Sequence, residues 1–430
     1  MSEFQVHTSA LADTNPSIDW LSEVSAQARA DWQAASWPTR KTEHFKYIPL
    51  SSLQKDLPAL ATQASGFSVE GLDLLPIDAT RLVFVDGVFS PENSSDLVAG
   101  IELFSDVSSS TQELVESTLN TLIDRSKHLF VSLNTALLRD GVVVQVNAHT
   151  QLEKPLYIVN VSTGQYLSSP RLLVVVGANS TAEIIEHYVT STEDAAPVVN
   201  AVSELFVGDN AQLTHYRINF EEENARHIGA MHIELLRSAR FRGFALSLGS
   251  RFNRVDYQVN HRGEGAEVDL QGLYLPRNKQ VVDYHTNLCH WVPHCTSSEV
   301  FRGIIGDSAH AVFNGRIYIH PDAQKTLAEL SNKNMLTSNQ AEINTKPELE
   351  IYADDVKCAH GATVSQLNAN ARYYLQSRGL SRTEAEVMLS FGFVNELLEQ
   401  VQNKTLHDFL LPRLAARFGR DQSLLMAEAE

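Results

Sequence analysis

Residues 177–184, Gly177-Ala178-Asn179-Ser180-Thr181-Ala182-Glu183-Ile184, read as a polar corner that runs into a strand. Degraded copies follow at 208–215 (GDNAQLTH), 236–243 (LRSARFRG), 263–270 (GEGAEVDL) and 306–313 (GDSAHAVF). The spacings are 31, 28, 27 and 43 residues. Such a loose period predicts a β-solenoid, in which no coil buries its face alone and each stacks on the next. An irregular sandwich is the other fold these turns allow. From about Val142 to Val364 the chain is a succession of short β-runs, among them Leu156 to Val161, Leu172 to Val176, Arg316 to His320 and Leu349 to Tyr352. They are rich in Val, Ile, Leu and Tyr, with Gly, Asn, Asp and Ser between them. No long helical pattern interrupts the first part of this zone, which argues against βαβ units.

Both flanks read as helical. Trp20, Leu21, Val24, Ala28 and Trp32 fall near one helical stripe, with Ser17 as the expected N-cap and Pro38 beyond the end. Arg81 to Val88 reads as a strand entering an Asp-Gly hairpin turn. Another helical stretch is expected from Thr111 to Leu138. After about Gln366 the pattern returns to helix. Gly379 suits the left-handed position after a helix end, and Ser381-Arg382-Thr383-Glu384 is a capping-box signature. Val387, Met388, Phe391, Val394, Leu397 and Leu398 then mark one helical face. A last helix spans Leu406 to Arg417, bent or started by Pro412, and the tail after Gln422 is expected to fray. The division is a mainly helical segment over 1–140, a β core over 141–365 and a helical segment over 366–430.

At 430 residues and a net charge of -18, the chain is a poor candidate for binding nucleic acid or an anionic membrane surface. Its N-terminus has neither the basic nor the apolar part of a secretory signal, and no apolar run approaches a bilayer span. With three cysteines, the expectation is a cytoplasmic protein with free thiols.

The chemistry concentrates in Asp354-Asp355-Val356-Lys357-Cys358-Ala359-His360-Gly361. On a strand, positions i and i+2 share a face, so Cys358 and His360 aim a thiol and an imidazole the same way. That pair suits a transition metal or an iron–sulfur species, but two ligands leave a tetrahedral site incomplete. Spacing alone favours a plainer reading, a cysteine packed in a core. Asp354 and Asp355 read as corner or solvent residues. Cys289-His290-Trp291-Val292-Pro293-His294-Cys295 offers four zinc-ligand side chains in seven residues, without a familiar zinc spacing. A zinc hydrolase built on Cys289, His290, His294 and Cys295 is one rival function. A β-helix enzyme acting on polysaccharide, with paired carboxylates, is another. No phosphate-binding loop, convincing dinucleotide fingerprint or Gly-x-Ser-x-Gly elbow occurs, so neither an ATPase nor a serine hydrolase is expected.

Residues 346–363, KPELEIYADDVKCAHGAT, followed by YLQSRG at 374–379, resemble the SufD family of subunits of the SUF iron–sulfur cluster assembly machinery. Pro38-Thr39-Arg40-Lys41, Lys46-Tyr47, Arg81 to Gly87, Phe313-Asn314-Gly315 and Asn334-Met335-Leu336 match in the same order. The resemblance implies a right-handed parallel β-helix core flanked by helical domains. It implies a non-catalytic scaffold subunit that pairs with SufB through the β-helix and binds the ATPase SufC through the C-terminal helices, and it allows a homodimer of the isolated chain. It assigns His360 first, and Cys358 second, to transient iron or a nascent cluster shared with SufB, and attaches iron delivery to this subunit. It leaves flavin on the assembled complex open. Three departures stand out: Ala359, Ser365 and Phe45 replace the usual serine, glycine and tryptophan. Ala359 points away from the Cys/His face, so the lost hydroxyl need not disturb ligation. Cys295 falls at a familiar cysteine position and Cys289 does not.

Overall fold

The computed structural model describes residues 1–14, 18–48, 50–64, 66–124 and 128–417. Ser17 and the tail after Gln422 lie outside them. The strands in chain order are β1 (Thr80–Val85), β2 (Val88–Phe89), β3 (Ile101–Leu103), β4 (Val142–Val146) and β5 (Leu156–Ser162). Next come β6 (Leu167–Ser168), β7 (Arg171–Val176), β8 (Thr181–Thr190), β9 (Val198–Val207) and β10 (Gln212–Phe220). They continue as β11 (Arg226–Leu235), β12 (Arg240–Ser247), β13 (Phe252–His261), β14 (Glu267–Tyr274) and β15 (Val281–His290). The last are β16 (Thr296–Ile305), β17 (His310–Ile319), β18 (Leu327–Leu336), β19 (Glu342–Ile351) and β20 (Lys357–Gln366). Helices are α1 (Glu3–Thr14), α2 (Ser22–Ala34), α3 (Ser109–Thr118), α4 (Leu129–Ala136), α5 (Ala369–Ser377), α6 (Arg382–Leu398) and α7 (Lys404–Arg417).

The strands alternate between two sheets and form a parallel β-solenoid of about eight turns. Sheet one runs β2-β1-β5-β8-β10-β12-β14-β16-β18-β20, and sheet two runs β19-β17-β15-β13-β11-β9-β7-β4-β3. Between them lies one continuous core, built from inward residues such as Ile184, Leu213, Ile233, Val255 and Phe313. Each fully buried side chain of this kind stabilises by about 1.5–3 kcal/mol. The outer faces are covered as well. On sheet one, Phe244, Leu246, Leu273 and Ile304 pack beneath Val394, Leu397, Leu406 and Leu410 of α6 and α7. On sheet two, Val198, Ile228 and Phe252 pack beneath Phe4, Trp32 and Phe130 of the N-terminal segment. Burial on both faces explains the near-continuous apolar strands, where a clean period-two alternation would mark a half-exposed sheet.

The polar corners are real, and their chemistry is conformational. Asn179, Asn210 and Ser238 have φ between 54° and 58°, and Gly265 has φ 72°; they precede β8, β10, β12 and β14. Asn tolerates this left-handed region, and glycine adopts it without strain. Successive corners bond to one another: Asn210 Nδ2 donates to Asn179 Oδ1 at 2.8 Å, and Ser238 N to Glu264 O at 2.9 Å. One copy belongs elsewhere. Residues 306–309 lead into β17 of sheet two, which accounts for the 43-residue step. Two corners escaped the pattern because His294 (φ 63°) and Lys325 (φ 60°) carry the left-handed turn instead of Asn or Gly.

The flanks follow the sequence with some adjustments. The hairpin turn sits at Asp86-Gly87, with φ 51° and 83°. The Thr111 to Leu138 stretch is two helices, α3 and α4, and a further helix, α1, precedes the Trp20–Trp32 stripe. Gly379 takes φ 98°, and the capping box closes with both Ser381 and Glu384 bonds present. Pro412 lies inside α7, not at its start.

Candidate functional site

Cys358 and His360 both lie on β20, the last strand of sheet one. The register aligns Cys358 with Ala328 and His360 with Leu330 of β18. Ala328 and Leu330 belong to the core between the sheets. The two site residues therefore continue inward-facing columns, and Cys358 packs against that core. Ala359 falls on the other face. The pair thus looks into the mouth of the solenoid, where, among the described residues, no further coil covers it. Cys358 is half-buried and His360 exposed. Partial burial pushes the Cys358 thiol up, which favours the protonated form until a cation draws the proton off.

The floor of this mouth is polar. Asn332 Nδ2 donates to Tyr274 Oη at 2.9 Å, and Tyr274 Oη donates to Asn334 Oδ1 at 2.5 Å. Thr345 of β19 donates to Asn332 Oδ1 at 2.8 Å. The column below His360 runs through Leu330 to Glu299. Glu299 is wholly buried, and desolvation pushes its carboxyl up to about 8. Thr286, across the interior, donates to it at 2.5 Å. Deeper still, Glu186 accepts from Ser203 (2.8 Å) and Tyr188, and pairs with His215 (2.9 Å) and Arg217 (3.1 Å), all buried. Nothing in the local pattern announced this interior charge, because both faces of these strands are buried and a polar inward residue looks like a polar outward one.

The other candidate residues do not assemble. Asp354 and Asp355 form the exposed corner before β20, with Asp355 paired to Lys325. Cys289 lines the outer side of sheet two and receives a bond from Gln258 at 3.4 Å. His290 turns inward, stacks on His261 at 4.0 Å and meets Ser297 Oγ at 3.0 Å. His294 is a corner residue, and Cys295 lies in the core. The four side chains from Cys289 to Cys295 point in different directions. Among the described residues no three His, Cys, Asp or Glu side chains converge as a formed metal site. The zinc-hydrolase reading loses its geometry.

Two family models match: the SufBD core domain of the SUF iron–sulfur cluster assembly system over residues 158–393, and the SufBD N-terminal region over 3–158. An iron–sulfur cluster assembly SufBD family protein of Synechocystis is 33% identical over 88% of this chain and 87% of its own. The iron–sulfur cluster assembly protein SufD of Escherichia coli is 31% identical over 88% and 89%. The chloroplastic protein ABCI7 of Arabidopsis thaliana is 29% identical over 86% and 81%. With its solenoid, its flanking helices and two consecutive family matches along nearly its whole described length, the chain belongs to the SufBD family of iron–sulfur cluster assembly proteins.

Proposed function

We propose that the chain is the SufD-type, non-catalytic scaffold subunit of an assembly complex containing SufB and the ATPase SufC. The observation that carries this reading is the position of Cys358 and His360 on the inward columns of an uncovered terminal coil. A half-site at the mouth of a solenoid is completed by ligands from whatever closes the mouth. SufB closes it in this reading, and a nascent cluster forms between the two chains as cargo. His360 supplies an exposed imidazole, and Cys358 a thiol whose ligation requires deprotonation. ATP turnover in SufC provides the conformational work. SufC binds the C-terminal helices after Gln366, where α5 exposes Tyr373 and Tyr374. The domain boundaries near 140 and 365 are part of the same reading, as is a cytoplasmic or plastid-like compartment. Among the described residues, no helix is long and apolar enough to cross a membrane.

Co-purification with SufB and SufC, followed by cluster assembly, tests the assignment. His360→Ala is expected to leave the complex intact and to cut assembly at least about tenfold, the scale of a lost metal contact. Cys358→Ser should cost less. Unchanged assembly in an intact His360→Ala complex sinks the role of His360, and failure to form any complex sinks the subunit reading.

A further inference from the structure

A second cluster of imidazoles lies far from the mouth. The N-terminal segment and the outer face of sheet two enclose a groove of about 690 Å3. His44 and His128 enter it from the segment, and His232 of β11 and His285 of β15 from the sheet. His232 is 1% exposed, and among the described residues neither of its ring nitrogens has a hydrogen-bond partner. A buried polar ring left in that state costs on the order of 1–3 kcal/mol, and such a group calls for an explanation. The His128 ring meets it edge-on at 4.8 Å, and the His44 and His285 rings lie 6.2 Å apart.

The charges around the rings narrow the ligand class. Arg254 pairs with Asp256 at 2.7 Å and with Asp283 at 2.9 Å, so this trio carries one net negative charge. Asp283 Oδ1 also lies 3.0 Å from His285 Nε2, which puts a buried carboxylate beside this ring. Burial holds His44, His128 and His232 below the usual imidazole range, so their lone pairs stay open at neutral pH. Toward the groove's other end, Arg316 is bonded to Glu350 and Asn287, and Lys346 to Glu43 and Glu348. Those cations are already engaged, which disfavours a phosphate ligand. Neutral imidazoles beside a net negative charge favour a cation, and nitrogen donors favour a borderline transition metal over calcium or magnesium.

We propose that this groove is a second metal site, taking one divalent transition cation of the iron(II)–zinc(II) class on imidazole nitrogens from both walls. The rings do not yet converge, so the site forms by rotation of His128 and His44 toward His232 and His285. The buried Arg171 near His232 is a charge against a cation there, offset in part by its ion pair with Glu204. Bound metal would fasten the N-terminal segment to the solenoid. This inference does not depend on pairing with SufB or SufC. Under the proposed function the cation is iron(II), held about the solenoid before cluster formation.

Anaerobic titration of the isolated full chain with cobalt(II) provides the test, read by visible d–d absorption and by the thermal midpoint. One cobalt per chain is expected, without thiolate-to-metal charge transfer and with a rise in midpoint. His128→Asn and His44→Asn alter residues of the covering segment and leave the buried His232 in place. Each should weaken cobalt binding at least about tenfold and abolish the rise in midpoint, with unchanged far-UV circular dichroism. The double variant Cys358→Ala/His360→Ala should retain both signals. No bound cobalt, cobalt binding indifferent to His128→Asn and His44→Asn, or loss confined to the Cys358/His360 variant would each overturn the proposal. Complex formation with SufB and SufC is measured separately, so failure here and failure of the subunit reading are told apart.

Discussion

The two ends of the solenoid are finished differently. At the N-terminal end, each sheet stops against an antiparallel strand, β2 on β1 and β3 on β4. Strand β5, one place in, is buried along its whole length. At the C-terminal end, β19 and β20 pair on one side only, and β20 is exposed at nine of its ten residues. Val364 is 50% exposed, Tyr352 58% and Ile351 41%. Solenoids need terminal caps, and bare strand edges are pairing templates that soluble proteins usually blunt. Here one end is blunted and the other is not. Pro347, in the middle of the edge strand β19, removes one N–H from that edge; β20 carries no such interruption. The contrast leaves the Cys358/His360 pair at the one end that is not blunted, where the proposed function puts the partner chain.

The largest expected effect is therefore at the open edge. Val364→Lys combined with Ile351→Lys should weaken SufB binding at least about 100-fold, measured by surface plasmon resonance, since like charges and lysines on an edge oppose strand pairing. The isolated variant should melt as the parent does. Undiminished binding would show that the mouth is not the interface. The interior responds in the opposite sense. Ile233→Ala, in the fully buried core, should cost about 2–5 kcal/mol in urea unfolding. Val364→Ala should stay within about 0.5 kcal/mol. Equal costs would mean the last coil is as well packed as the middle.

A smaller effect follows from Glu299. Its folded-state pKa, about 8, is raised above the unfolded value, so the folded chain holds the extra proton between them. The associated stability is fully present below the unfolded pKa and is lost as pH rises toward and through 8. Glu299→Gln should remove that slope. Relative to the parent it should gain a few kcal/mol at most between pH 5 and pH 8.5, measured by denaturant titration at each pH. A parallel pH profile for the two proteins would place the proton elsewhere.

Much of this fold was legible, for a physical reason. Left-handed corners select Asn and Gly, so Asn179, Asn210 and Gly265 stand out in sequence. His294 and Lys325 take the same conformation without that compositional mark, and the period therefore looked looser than it is. The pairing of Cys358 with His360 on one face followed from strand alternation alone. That this face points inward follows from alignment with Ala328 and Leu330, a long-range register that local pattern does not encode. The same limit hid Glu186, Arg217 and Glu299. The groove histidines were beyond reach because His44 and His285 are 241 positions apart in the chain.

The corner ladder has a metrical consequence. Each coil advances the stack by one inter-strand spacing, about 4.8 Å, so the nine steps from β2 to β20 span about 43 Å. Inserting or deleting one residue inside a strand turns the following side chains of that strand to the opposite face. Corners absorb small differences in length, as the 31-, 28- and 27-residue spacings show, whereas each whole coil added would move the terminal pair by one fixed increment. The solenoid is thus a graduated spacer, and the separation between its closed end and the residues at its mouth is written in the number of coils.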